Sequence, residues 1–242
     1  MIRLKSVEAI LLDAAGTLFD VRPSVGAIYS MIARGHGIDI DAAVAQREFS
    51  RAFHERSASG LPAGTGSDPG SAERSWWLDI VRGVFAGRMS ERVLEEYFAE
   101  VFEAFRRGDS YEVFPDAETS LAELKSSGFR LGVLSNYDSR LFDVLDQLDL
   151  ARHFEVVVIS WQAGAAKPDS RIFLHAARKL DIPAQRIVHV GNSLTDDYEG
   201  ARRAGLGAVL LDRKGIYRGR DELTRVESLA ELHNLLEPIR PD

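Results

Sequence analysis

Short apolar runs recur along the chain, and each is followed by a turn or by polar residues. The runs lie at 7–13, 130–135, 154–160, 186–191 and 207–212. Their apolar residues are consecutive rather than alternating, which is typical of parallel strands that are covered by helices on both faces. The pattern therefore predicts five strands of one buried parallel sheet.

Between these strands, apolar residues spaced by three and four positions predict helices. The predicted helices cover 116–127, 139–149, 170–181 and 196–204. Alternation of strand and helix predicts an α/β fold with a doubly wound parallel sheet. In such folds, ligands bind at the carboxyl ends of the strands.

A long segment near the N-terminus shows helical spacing only, at 24–34, 41–57, 72–85 and 91–106. We therefore predict an α/β core domain of residues 1–19 and 110–242, interrupted after its first strand by an all-helical cap domain of residues 20–109. The length of 242 residues agrees with this division, because it exceeds the roughly 150 residues of one average domain. The cap is expected to close over the site formed by the core.

Composition and charge exclude several classes of function. The chain has 30 Lys and Arg against 37 Asp and Glu, so its net charge is −7, which disfavours binding to nucleic acid or to anionic membranes. The absence of cysteine excludes disulfides and thiolate chemistry and is compatible with the cytoplasm. No apolar run approaches the roughly 18 residues of a membrane span, so we expect a soluble cytoplasmic protein without membrane partners.

One basic stretch is interleaved with acidic residues, which predicts a solvated loop without function. Its basic residues are Arg213, Lys214, Arg218, Arg220 and Arg225.

Four short polar motifs follow the predicted strands. They are Asp13-Ala14-Ala15-Gly16-Thr17-Leu18, Ser135-Asn136, Lys167-Pro168-Asp169, and the segment from Gly191-Asn192-Ser193 to Asp196-Asp197. Each motif alone is common in turns and helix caps. Because parallel strands end at the same edge of a sheet, we expect all four motifs to lie close together.

In this order, the motifs resemble those of the haloacid dehalogenase superfamily of hydrolases, and the helical insertion resembles its cap domain. The resemblance extends over essentially the whole chain. Within the superfamily, Trp76-Trp77-Leu78-Asp79 and residues 22–37 are similar to the group named haloacid dehalogenase-like hydrolase domain-containing protein 3.

The resemblance implies a covalent mechanism with Asp13 as the nucleophile. A carboxylate held in line with phosphorus or carbon forms an ester that water later cleaves. Lys167 offsets the negative charge of substrate and nucleophile, and Ser135 completes the predicted catalytic set. The predicted substrate-binding residues are those of the turn after Asp13 together with one amide side chain: Ala14, Ala15, Gly16, Thr17 and Asn136.

The resemblance also implies Mg²⁺, an ion that prefers oxygen ligands. Asp13, the Ala15 carbonyl, Asn192 and Asp197 occupy the positions of the family's ligands. Two departures weaken the expected site. Ala15 stands where a proton-transferring Asp is usual, and loss of such a group costs about 10²- to 10⁴-fold in rate. Asn192 stands where the pattern has a charged Asp.

These residues leave three functions open. The favoured one is a phosphatase-like hydrolase that acts slowly on a small anionic phosphoester. The second is a 2-haloacid dehalogenase, since a halide leaves without a proton donor and its displacement by Asp13 requires no metal. Arg47 and Arg51 are positional candidates for the arginine near the halide. The third is a catalytically reduced phosphate-binding protein.

Other notable side chains are expected to be structural. His189 lies inside an apolar strand and is predicted to be a satisfied core histidine. Trp76 and Trp77 are adjacent on a helix and point about 100° apart, so at least one of them is expected to pack in the core of the cap.

Overall fold

The protein is described by a computed structural model that covers residues 4–58 and 69–238. The described helices are α1 (Val25–Gly35), α2 (Ala42–Ala58), α3 (Pro69–Val84), α4 (Glu91–Ala104), α5 (Ala117–Ser126), α6 (Arg140–Gln147), α7 (Ser160–Ala163), α8 (Ser170–Leu180), α9 (Gly200–Arg203) and α10 (Leu232–Leu235). The described strands are β1 (Leu4–Val7), β2 (Ala9–Leu12), β3 (Phe19–Val21), β4 (Tyr111–Val113), β5 (Arg130–Ser135), β6 (Val156–Ile159), β7 (Ile187–Gly191), β8 (Gly207–Leu211), β9 (Arg225–Val226) and β10 (Leu236–Pro238).

The chain forms two compact units. Among the described residues, the core unit comprises 4–20, 113–137 and 148–238, and the helical unit comprises 21–58, 69–112 and 138–147. Within the described ranges, no helix is long and apolar enough to cross a membrane.

The core unit is built on a six-stranded sheet with the order β6-β5-β2-β7-β8-β9. All of its neighbouring strands run parallel. Strands β2 and β7 are buried along their full length, as expected for strands covered on both faces. The predicted α/β fold with a doubly wound parallel sheet is therefore confirmed.

The register of the sheet brings three predicted motifs to one edge. Leu12 pairs with Val133 on one side and with Val190 on the other, so Asp13, Ser135 and Gly191 all lie at the carboxyl ends of neighbouring strands. The first strand is shorter than predicted and begins at Ala9. Val7 belongs instead to β1, which contains Ser6 with a positive φ of 59° and pairs with β10 in a separate two-stranded sheet.

The helical unit packs α1 to α4 around an aromatic core. Tyr29, Phe85 and Tyr97 are almost wholly buried, and the Tyr97 hydroxyl donates to the Tyr29 carbonyl at 3.0 Å. Trp76 is buried in this unit at 3% exposure. Trp77 is half-buried, and its Nε1–H donates to Asp138 Oδ2 at 2.5 Å.

Helix α6 packs with the helical unit, whereas its sequence pattern placed it among the core helices. Asp138 and Arg140 form a buried ion pair at 2.6 Å, and the Arg140 guanidinium lies 4.2 Å from the ring centre of Phe102. At the other end of α6, Gln147 accepts a hydrogen bond from Gly108 N–H at 2.9 Å. Apolar spacing shows that a helix has a buried face, but it does not identify the partner that covers that face.

Candidate active site

Asp13 follows β2 directly and continues its pairing with β7. Its N–H donates to the Val190 carbonyl at 2.9 Å, and the residue is 8% exposed. Beyond it the chain turns sharply, because Gly16 has φ +78° and its N–H donates to the Phe19 carbonyl at 2.7 Å. A Cβ at Gly16 would lie 2.5 Å from the Asn192 amide nitrogen. Only glycine therefore allows the turn to approach Asn192 this closely.

Lys167 contacts an acidic residue of the first motif, Asp13, and one of the last motif, Asp197; these are called the two acidic motifs below. Its Nζ lies 2.7 Å from Asp13 Oδ1 and 2.5 Å from Asp197 Oδ1, and its side chain is 3% exposed. Burial alone lowers the pKa of Lys167, but the charges of the two carboxylates outweigh it and raise the pKa above its ordinary value. Lys167 is thus a fixed ammonium between the predicted nucleophile and Asp197.

Asn136 holds the backbone of Lys167 in place. Its Oδ1 accepts from the Lys167 N–H at 2.7 Å, and its Nδ2 donates to the Lys167 carbonyl at 2.9 Å. The sequence motif predicted that the Asn136 amide binds substrate. In the structure this amide bonds to Lys167 on both sides, which is a positioning role that the motif did not reveal.

Asp197 is almost fully enclosed, at 1% exposure. It belongs to a π-helix over Leu194–Glu199, a rare local structure that is frequent at functional sites. Its Oδ2 accepts from the Ser193 N–H at 2.9 Å, and its carboxyl group packs so tightly on Gly191 that any Cβ there would overlap it.

His189 is a site residue whose role its sequence context did not predict. It is wholly buried in β7, as expected of a core histidine, but its hydrogen-bond partner is Asp197 Oδ1, at 2.9 Å from Nε2. A carboxylate only accepts, so this contact assigns the ring proton to Nε2. The available signal was the strand period of two, which puts His189 on the same face as Gly191 and therefore beneath Asp197.

The remaining predicted substrate ligands lie at the same edge of the sheet. Ser135 ends β5 and is 3% exposed. Thr17 is fully buried, and its hydroxyl has no hydrogen-bond partner among the described residues. The N–H groups of Gly16 and Thr17 bond within the turn, to Phe19 and Ala14 carbonyls. These two N–H groups are thus already engaged within the turn.

The oxygen donors at this edge suit a hard cation such as Mg²⁺. The Asp13 carboxylate accepts a hydrogen bond from Lys167 on Oδ1, and Asp197 Oδ2 accepts the Ser193 N–H. Residues 4–58 and 69–238 contain no cluster of three or more His, Cys, Asp or Glu side chains suited to a metal ion. The predicted ligands are oxygen donors of the kind that Mg²⁺ takes, but they would supply fewer charges than a carboxylate-rich site, because Ala15 would offer a carbonyl and Asn192 an amide.

The enclosure of Asp197 predicts a defined dependence of stability on pH. Burial acts to raise the pKa of Asp197, but the Lys167 charge and the His189 hydrogen bond outweigh it, so the pKa lies below the ordinary 3.8. A carboxyl group of this kind stabilises the fold above its unfolded pKa, and the contribution is lost as the pH falls through the folded value. Asp197→Asn should cost about 3 kcal/mol at neutral pH, and the cost should shrink below about pH 4.

Urea unfolding of both proteins across this pH range measures the difference. Asp196→Asn is the matched control, because burial and the neighbouring Asp197 and Asp13 charges raise the pKa of Asp196. An acid with a raised folded pKa destabilises the fold once it ionises, so this substitution should be neutral or stabilising at neutral pH. A cost for Asp197→Asn that stays constant down to the lowest pH would contradict the assignment.

Comparison with known proteins identifies the class of this chain. Residues 7–205 match the family model described as haloacid dehalogenase-like hydrolase. The chain therefore belongs to the haloacid dehalogenase-like hydrolase family, as its motifs predicted.

Named relatives span most of the chain. Haloacid dehalogenase-like hydrolase domain-containing protein 3 of Bos taurus is 33% identical over 201 residues, which are 82% of this chain and 79% of that protein. The phosphoserine phosphatase of Thermus thermophilus is 30% identical over 224 residues, covering 86% of this chain and 89% of its own. The predicted similarity to haloacid dehalogenase-like hydrolase domain-containing protein 3 is confirmed.

The fold is also shared with a solved structure of a defluorinating L-2-haloacid dehalogenase. The two have a TM-score of 0.73 at 20% identity, over 95% of each chain. A likeness at this identity concerns the fold alone.

Proposed function

We propose that this protein is a phosphatase that hydrolyses small phosphoesters through a covalent ester on Asp13. The observation that carries the proposal is the position of Lys167, whose Nζ contacts Asp13 at 2.7 Å and Asp197 at 2.5 Å. A buried ammonium at this point offsets the repulsion between a phosphate dianion and an anionic nucleophile.

The reaction has two steps. In the first, an Asp13 oxygen bonds to phosphorus while the bond from phosphorus to the leaving oxygen breaks. The product alcohol then obtains its proton from solvent, since Ala15 has none to give. In the second step a water oxygen bonds to phosphorus, the bond to Asp13 breaks, and inorganic phosphate leaves. The Ser135 and Thr17 hydroxyls donate to the phosphate oxygens, and Lys167 stays beside Asp13 throughout.

Mg²⁺ is the cofactor we propose, held by the Asp13 and Asp197 carboxylates, the Asn192 amide oxygen and the Ala15 carbonyl. When bound, the ion supplies positive charge that stabilises the charge on the transferring phosphoryl group. A ligand set with a neutral amide in place of a carboxylate predicts weak affinity for the ion.

Phosphate release from an activated aryl phosphate tests the function. We expect turnover in the presence of Mg²⁺ and its loss on addition of a chelator. Turnover that is indifferent to the chelator would overturn the metal assignment alone. Phosphate that binds without any turnover would instead favour the phosphate-binding protein.

The missing proton donor makes a quantitative prediction for Ala15→Asp. A carboxyl group at this position would protonate the leaving oxygen and then activate water, so turnover of a phosphoester with a poor leaving group should rise by about 10²-fold. With an activated aryl phosphate, which needs no protonation of its leaving group, the gain should come only from faster hydrolysis of the ester on Asp13. Ala15→Asn is the control, because it has nearly the same size and transfers no proton; an equal gain with Asn would contradict the explanation.

A second candidate is a 2-haloacid dehalogenase, favoured by Ala15 because a halide leaves without a proton. Displacement at carbon would place an alkyl ester on Asp13. The positional candidate Arg51, however, binds Glu48 and Glu55 at 3.0 and 2.9 Å within the helical unit. Metal-independent chloride release from a 2-chloroalkanoate would support this candidate over the phosphatase.

A further inference from the structure

The basic stretch that begins at Arg213 does not behave as one solvated loop. Arg218 is 68% exposed in its side chain and pairs with Glu227, as predicted for a surface residue. Arg213 is only 18% exposed, and its Nη2–H donates to the carbonyl of Thr17 at 2.8 Å. The prediction that Arg213 belongs to a solvated loop is therefore wrong.

Thr17 lies in the turn that follows Asp13, and its carbonyl is the point at which Arg213 holds that turn. The N–H groups of Gly16, Thr17 and Leu18 bond to carbonyls inside the turn. The Thr17 carbonyl instead points to Arg213. This contact fixes the peptide plane after Thr17, and with it the buried Thr17 hydroxyl and the path of the chain from Asp13.

The guanidinium of Arg213 is itself anchored on two sides. Asp116 holds it in an ion pair, with Nη2 to Oδ1 at 2.9 Å and Nη1 to Oδ2 at 3.0 Å. On the other side, its central carbon lies 4.0 Å from the ring centre of Phe114. A planar guanidinium that bonds to a carboxylate through Nη1, bonds to a carbonyl through Nη2 and stacks on a ring has a defined orientation, which a lysine ammonium lacks.

Asp116 is anchored in turn by the segment before α10. Its Oδ2 accepts from the Ser228 hydroxyl at 2.6 Å and from the Leu229 N–H at 2.8 Å. Burial acts to raise the pKa of Asp116, but these hydrogen bonds and the Arg213 charge outweigh it and lower the pKa. The contacts therefore run without a gap from the C-terminal part of the chain to the turn beside the nucleophile.

We propose that Arg213 is a positioning residue, which fixes the turn of residues 14–18 through the Thr17 carbonyl and thereby aligns Asp13 for attack. The catalytic part of this inference rests on the proposed phosphatase function. Misplacement of reacting groups by about 1 Å costs up to about 10²-fold in rate, so a loosened turn should slow the attack of Asp13 on phosphorus, which the first turnover measures.

The test compares Arg213→Met, Arg213→Lys and the exposed control Arg218→Met. Met keeps an aliphatic stem of similar length and removes every donor. In Arg213→Met, hydrogen exchange of the amides of residues 16–18 should become about tenfold faster, because the lost bond to a charged donor stabilised the turn. With an aryl phosphate, the rate of aryl alcohol release in the first turnover should fall by about 10- to 100-fold. Arg213→Lys should be intermediate, and Arg218→Met should match wild type.

A second route covers the case in which Arg213→Met folds poorly. A cavity of about 260 Å³ is lined by Gly16, Phe114, Asn192 and Arg213, among others, so a small cation has access to the position of the guanidinium. Methylguanidinium should restore the first-turnover rate to Arg213→Ala, whereas sodium chloride of equal ionic strength should not.

Three outcomes would overturn the inference: unchanged exchange at residues 16–18, exchange that accelerates equally across the whole core unit, or equal rescue by both salts. Exchange does not depend on turnover. If wild type hydrolyses no phosphoester and the turn still loosens in Arg213→Met, the proposed function fails and the positioning of the turn stands.

Discussion

Replacing Asp13 by Asn should reduce turnover of an aryl phosphate by about 10⁴-fold or more, because an amide cannot form the covalent ester. The substitution is nearly isosteric and keeps an oxygen for Lys167 Nζ, which lies 2.7 Å from Asp13 Oδ1. We therefore expect the fold to survive. Steady-state release of the aryl alcohol measures the effect.

The matched control is Asp146→Asn, at an exposed position of α6. It removes the same charge from an exposed residue outside the four motifs and should leave kcat unchanged. Substantial turnover by Asp13→Asn, with its thermal unfolding close to that of wild type, would contradict the role of Asp13 as nucleophile.

The second large effect is expected for Lys167→Met, which should lose both activity and stability. Asp13 and Asp197, at 8% and 1% exposure, would then lie side by side without their shared cation. Breaking a buried ion pair by removing one partner typically costs about 3 to 5 kcal/mol. Turnover should fall by about 10³-fold, since the fixed charge beside the transferring group is gone.

The loss of stability should depend on pH in a direction set by the carboxylates. The raised pKa of Lys167 means that its contribution is complete below its ordinary value of 10.5 and is lost only as the pH rises through the higher folded value. At neutral pH the variant therefore lacks all of the stabilisation that Lys167 contributes to the folded protein. The deficit should narrow as the pH falls below 3.8, the ordinary pKa of Asp197, because the Lys167 charge helps to lower that pKa in the folded protein.

Urea unfolding of Lys167→Met beside Lys179→Met separates this effect from a general loss of charge. Lys179 is exposed in the last turn of α8, and its replacement should cost little. Equal unfolding free energies for the two variants at neutral pH would contradict the view that Lys167 holds the two acidic motifs together.

Much of the core unit and of the site could be predicted from the sequence, because the motifs occupy strand ends. Uniformly apolar strands specify a sheet covered on both faces, and a parallel register then brings Asp13, Ser135 and Gly191 to one edge. Lys167 and Asp197 meet there because their loops follow strands of the same sheet.

The parts that the sequence did not reveal depend on contacts between distant side chains. The sequence neighbours of His189 are as apolar as those of any core residue. Its polar partner is Asp197, which reaches the ring only because it packs over Gly191. Arg213 lies among acidic neighbours in the sequence, yet its partners Asp116 and Thr17 are about 100 and 200 residues away along the chain. Local charge patterning cannot detect such pairs.

Because position 15 carries Ala and not an acidic residue, the two steps of the proposed reaction should differ in rate. An activated aryl phosphate needs no protonation of its leaving group, so formation of the ester on Asp13 should remain rapid. Hydrolysis of that ester still requires activation of water, for which Ala15 offers nothing. The covalent intermediate should therefore accumulate during turnover.

Rapid quenching of the first turnover, followed by mass analysis of the peptide that contains Asp13, tests the central claim most directly. We predict a burst of aryl alcohol equal to the enzyme concentration, together with one added PO₃ group on Asp13 that is absent from Asp13→Asn. Steady turnover without a burst and without modification of Asp13, or a PO₃ group on another residue, would contradict the account.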